Sequence, residues 1–153
     1  MRMRLFVALA CLGAAVACAP KSETPVPTPP SAREDMPAPR PAGVAKAITV
    51  ADAGKTVEVA QGEAFAVQLV GVPTAGYLWK PARMPAFLTA GVETGGPTHS
   101  DQLKPGFAGG NHWEVFAFTA TAAGRGELVF EQRRPWETTE PPVDTFKVVI
   151  VAK

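Results

Sequence analysis

Both cysteines of the 153-residue chain, Cys11 and Cys18, come before residue 19. Everything downstream therefore lacks a disulfide, a thiol nucleophile and a thiolate metal ligand. Charge is scarce and balanced, with 15 Lys and Arg against 14 Asp and Glu for a formal net charge of +1. No field of one sign is available to draw the protein onto nucleic acid. Histidine occurs twice, as His99 and His112, and Ser100 is the only serine after residue 43. His99, Ser100 and Asp101 are adjacent, and neighbours on an extended strand point to opposite faces, so they make no catalytic relay. Two histidines without a short ligand spacing also argue against a metal site. The expectation is two solvent-exposed imidazoles, no catalytic residue, no metal, no cofactor and no enzymatic activity.

Long apolar runs are missing as well, apart from Leu5 to Val16, which is shorter than the roughly 20 residues a permanent membrane span needs. Arg2 and Arg4 precede that run and Ala15-Val16-Ala17 closes it, the layout of an export signal over residues 1–17. Small residues followed by Cys18 resemble a bacterial lipobox, in which Cys18 becomes the lipidated first residue of the mature chain. Cys11 would leave an apolar region of only a few residues. Ala19, in place of an aspartate, resembles lipoproteins sent on to the outer membrane of Gram-negative bacteria. The resemblance implies an exported protein held in the bacterial cell envelope by a lipid anchor on Cys18. Residues 18–43 then read as the anchor and a tether, dense in proline as in Pro25-Val26-Pro27-Thr28-Pro29-Pro30 and Pro37-Ala38-Pro39-Arg40-Pro41. Polyproline geometry at about 3 Å per residue would hold a domain tens of ångströms from a lipid surface.

From residue 44 to 153 the pattern becomes short runs of β-formers broken by glycine, proline and polar pairs. Strands are predicted near Ala47 to Ala51, Lys55 to Ala60, Ala64 to Val70, Tyr77 to Lys80, Phe87 to Glu93, His112 to Thr121, Glu127 to Arg133 and Thr145 to Val151. Seven or eight short strands in about 110 residues fit an all-β sandwich. Alternation puts Phe65, Val67 and Leu69 on one face, Leu128 and Phe130 on another, and Phe146, Val148 and Ile150 on a third, as core candidates. Trp113-Glu114-Val115-Phe116-Ala117-Phe118 is apolar on both faces, which fits either a strand covered on both sides or one that leaves a face for a partner. Trp79 is expected in the core.

Three loops carry unusual chemistry. In Val72-Pro73-Thr74-Ala75-Gly76-Tyr77, proline and glycine fix the backbone, and a stiff loop loses less entropy when a partner holds it. Paired glycines in Pro105-Gly106-Phe107-Ala108-Gly109-Gly110 let a partner's main chain approach closely. In Arg133-Arg134-Pro135-Trp136-Glu137, Trp136 is the type of aromatic that dominates interface energies, and Arg134 can add stacking or a charge-assisted hydrogen bond. Any one loop alone reads better as a plain turn, and Trp136 equally as a residue packed on its own domain.

Together the three resemble chagasin and the related bacterial inhibitors of papain-like cysteine peptidases. That family's first loop reads Asn-Pro-Thr-Thr-Gly-(Tyr or Phe)-x-Trp, met here at Pro73, Thr74, Gly76, Tyr77 and Trp79. Its Gly-x-Gly-Gly segment is approximated around Gly106 to Gly110, and its Arg-Pro-Trp is met at Arg134, Pro135 and Trp136. The resemblance implies an immunoglobulin-like β-sandwich, monomeric, whose three loops block a peptidase's active-site cleft reversibly and competitively. Pro73, Thr74, Ala75, Gly76 and Tyr77 would sit over the catalytic cysteine and histidine. Gly106, Phe107, Ala108, Gly109 and Gly110 would lie along the unprimed groove, with Trp136 stacked on the primed side. Val72 and Ala75 stand where the family has asparagine and threonine, so the first loop is expected to lack a side-chain brace and to be looser. The rival reading is a non-inhibitory structural or adhesion-type sandwich of a cell-envelope lipoprotein, since sandwich folds host many functions.

Overall fold

The computed structural model describes residues 36–153. The expected signal peptide, Cys18 and the tether up to residue 35 lie outside the described residues. Eight strands follow: β1 (Val44–Thr49), β2 (Thr56–Val59), β3 (Ala64–Gly71), β4 (Leu78–Arg83), β5 (Leu88–Pro97), β6 (His112–Ala120), β7 (Gly124–Arg133) and β8 (Asp144–Ala152). They form two four-stranded sheets, ordered β1-β3-β6-β5 and β2-β8-β7-β4. The fold is the all-β sandwich that the sequence pattern predicts.

Boundaries move where local chemistry intervenes. The first strand starts earlier and stops at Thr49, whose side chain caps a 3-10 turn over Val50–Asp52 while the Asp52 carboxylate accepts the Thr49 N–H at 2.9 Å. The fourth runs on through Pro81 to Arg83. It is an edge strand, where a residue without an N–H is tolerated.

Phe65, Val67, Leu69, Leu128, Phe130, Phe146, Val148 and Ile150, the predicted core faces, are all buried between the sheets. Phe130 is the meeting point: its ring centroid lies 4.9 Å from Phe116, 6.0 Å from Phe118 and 6.4 Å from Phe146. Each fully buried side chain of this size contributes about 1.5–3 kcal/mol by leaving water.

Strand β6 is covered on both faces. Phe116, Phe118 and Ala120 face the core. Trp113, Val115 and Ala117 face outward and pack with Val44, Ala66 and Ala38. Ala38 belongs to the stretch ahead of β1, so the described end of the segment expected as a tether lies against the sheet. The Met36 N–H donates to the Thr98 carbonyl at 3.1 Å, and the Trp113 indole N–H donates to the Met36 carbonyl at 2.8 Å.

Strand register decides where the loops fall. Gly71 at the end of β3 and Pro97 at the end of β5 both pair with His112 at the start of β6. In the other sheet Leu78 at the start of β4 pairs with Arg133 at the end of β7. Trp79 ties these two sheet ends together: its indole N–H donates to the Val70 carbonyl at 2.9 Å and its backbone N–H to Glu114 Oε2 at 2.9 Å. The segments after β3, β5 and β7 therefore emerge at one end of the sandwich.

Candidate functional site

The first of these segments is held by its own main chain. Pro73–Ala75 forms a 3-10 turn with Gly76 closing it at φ 82°, a left-handed conformation that favours glycine. The Val72 and Tyr77 main chains exchange hydrogen bonds at 3.1 and 3.2 Å, and inside that pair Ala75 N–H donates to Val72 O at 3.0 Å and Gly76 N–H to Pro73 O at 2.9 Å. No side chain caps the turn. The loop expected to be looser is closed by backbone bonds, with Thr74 and Ala75 exposed at its tip.

The third segment grips the first. Arg134 Nε donates to the Ala75 carbonyl at 2.9 Å, and the same guanidinium lies 4.5 Å over the Tyr77 ring. Its Nη1 bonds Glu137 at 2.9 Å, which holds the guanidinium pKa above its already high ordinary value. Trp136 is 68% exposed, and its ring rests on Gly76 so closely that a Cβ there would lie 2.4 Å from Cη2. The indole is thus held in a fixed pose with most of its surface in water.

The second segment is braced separately, through one glutamine. A 3-10 turn over Ser100–Leu103 follows β5, and Gln102 Oε1 accepts from the N–H groups of Thr98 at 2.7 Å and His99 at 2.9 Å. Gln102 Nε2 donates to Asn111 O at 2.8 Å and reaches Gly109 O at 3.5 Å. Beyond it Gly106, Gly109 and Gly110 all adopt positive φ, from 81° to 95°. Phe107, half-exposed, stands beside a hollow of about 360 Å³ shared with Thr98, Gln102 and Gly110. The sequence-predicted residues thus fall into two groups at one end, the first and third segments bonded to each other and the second held by Gln102.

Both histidines are partly buried, with 38% of the His99 side chain left in water. His99 Nδ1 accepts the Asp101 N–H at 3.1 Å and so caps the turn. Among the described residues no group of three His, Cys, Asp or Glu is placed to hold a metal.

Sequence reasoning missed Gln102 and Glu114. Glu114, 8% exposed, points into the sandwich beneath the loops; Oε2 accepts the Trp79 N–H, while Oε1 has no hydrogen-bond partner. Burial pushes its pKa up, the Trp79 bond opposes this, and Glu93 adds to the rise while Lys80 lowers it. Gly71 makes room for it, since a Cβ there would meet Glu114 Oε1. The available signals were an acid inside an apolar run and a glutamine three residues after a turn-starting position.

The sandwich thus gathers three braced loops at one end, with an exposed tryptophan among them. The chain belongs to the chagasin family of peptidase inhibitors (I42), whose family model matches residues 58–150. It is accordingly an inhibitor and not an enzyme. Solved structures with similar folds include the cysteine protease inhibitor EhICP2 from Entamoeba histolytica, at 18% identity and TM-score 0.61 over 72% of this chain and all of that one. Amebosin follows at 27% identity and TM-score 0.56, over 71% of this chain and 97% of that one. PbICP-C, solved in complex with falcipain-2, is similar at 14% identity and TM-score 0.51, over 71% of this chain and 99% of that one. No curated protein sequence matches the chain.

Proposed function

We propose that this protein inhibits papain-like cysteine peptidases reversibly and competitively, with the three loops at one end of the sandwich filling the active-site cleft. The observation that carries this reading is the clamp of Arg134 on Ala75 and of Trp136 on Gly76, which leaves Thr74 exposed at the tip of a closed turn. Family membership and the likeness to EhICP2, a cysteine protease inhibitor, support the target class.

In this reading Thr74 and its neighbours cover the catalytic cysteine and histidine, Gly109 and Gly110 follow the unprimed groove, and Trp136 stacks on the primed side. No bond is made or broken. The turn resists entry as a substrate because its backbone bonds are already satisfied internally, so presenting an extended peptide bond would require breaking them. Affinity comes from preorganised shape and few anchors. Residues 1–17 are proposed as an export signal and Cys18 as the lipid anchor that holds the protein in the bacterial cell envelope, at the outer membrane.

The test is inhibition of papain by the purified protein alongside Trp136→Ala and Thr74→Glu. Competitive inhibition weakened by both, at unchanged melting temperature, is the expected outcome. Full inhibition by Thr74→Glu would place the first loop outside the cleft.

A further inference from the structure

The stretch ahead of β1 reads Met36-Pro37-Ala38-Pro39-Arg40-Pro41. Three prolines fix φ at alternate positions, so the stretch is extended before it docks and loses little entropy on docking. It runs over the outer face of the first sheet, where Ala38 packs with Val44, Ala66 and Val115, the last two fully buried. Pro39 presses on β5 where the sequence has Gly96; a Cβ there would lie 3.0 Å from Pro39 Cγ.

Both hydrogen bonds of Met36 fall on the two stems of the second loop. Thr98, on the outgoing stem, accepts the Met36 N–H through its carbonyl. Trp113, on the returning stem, donates its indole N–H to Met36 O. Thr98 is 5% exposed and hands the constraint inward: its N–H bonds Gln102 Oε1 at 2.7 Å, and its Oγ1 donates to Asn111 O at 3.0 Å. Gln102 in turn holds Asn111 and Gly109. A continuous set of contacts therefore leads from Met36 to the glycines.

We infer that Met36–Gly43 is a strap that positions the second loop, so that the inhibitory unit includes this segment as well as the strands. The inference rests on the proposed role of that loop in binding a peptidase. Three glycines at positive φ make the loop costly to order, and clamping both stems removes part of that cost before the partner arrives. Met36 and Trp113 are positioning residues; neither needs to touch the peptidase.

The test uses the full chain with Met36→Pro combined with Trp113→Phe, which deletes both donors while keeping apolar cover. Ala38→Asp, which puts a charge into the apolar seat, reaches the released state by a second route. Amide exchange of the free protein is read first. The expected result is exchange about tenfold faster at residues 99–111, with residues 72–77 and 133–137 unchanged. Inhibition of papain should then weaken about tenfold through faster dissociation. Faster exchange at residues 38–44 with none at 99–111, or an equal rise everywhere, would overturn the strap. Because exchange needs no peptidase, a wild-type protein that fails to inhibit papain would refute the proposed function and leave the strap to be decided on its own.

Discussion

Replacing Gly76 by alanine separates the two tasks of the turn in which it sits. Gly76 lies at φ 82°, where an L-residue is disfavoured by roughly 1–2 kcal/mol. For a domain of this size each kcal/mol lowers the melting temperature by about 4 °C. The new methyl would also start 2.4 Å from Trp136 Cη2, so the ring must leave its seat. Since Trp136 is 68% exposed, its displacement forfeits little burial and adds little to the stability loss. Inhibition should respond more strongly, because an aromatic anchor at an interface is worth about 2 kcal/mol or more, a weakening of about thirtyfold. The assay is a double-mutant cycle of Gly76→Ala and Trp136→Ala, read as the papain inhibition constant alongside thermal unfolding. If Gly76 acts through Trp136, alanine at 76 costs far less inhibition once Trp136 is gone, a coupling of about 1–2 kcal/mol. Equal losses in both backgrounds would refute the argument that the ring's pose is set by the glycine. An unchanged melting temperature would refute the argument from backbone strain.

Glu114→Gln should raise stability at neutral pH and flatten its pH dependence, read by thermal unfolding. Because burial raises the folded-state pKa above the ordinary 4.5, the wild type holds its proton longer when folded; its stability should therefore fall as pH rises from that value through the raised one. A wild-type curve that instead rises with pH across this window, with the glutamine variant parallel to it, would show that Glu114 is not the group responsible. Cys18→Ser should release the expressed protein from the membrane fraction into the soluble periplasmic one, followed by fractionation and fatty-acid labelling; continued labelling of the serine variant would move the anchor elsewhere.

The sequence by itself determined the layers and the chemistry of the loops. Alternation in Phe65-Ala66-Val67-Gln68-Leu69 and in Phe146-Lys147-Val148-Val149-Ile150 fixes which side chains turn inward, because a strand's period of two leaves no other face. Pro73, Gly76 and the Arg134-Pro135-Trp136 run are legible for a similar reason, since proline, glycine and exposed aromatics act locally. Only the tertiary structure decided what depends on distant partners. The first loop's contact with the third comes from Arg134, 59 residues away, whose Nε reaches the Ala75 carbonyl. Glu114 stands out as an acid inside an apolar run, but its partner, the Trp79 N–H, is supplied only when β4 is brought across. Met36 to Pro41 reads as linker because proline-rich chain has no core pattern of its own. Its place is set by Trp113 and Thr98, and contacts at a separation of 77 residues leave no mark in local periodicity.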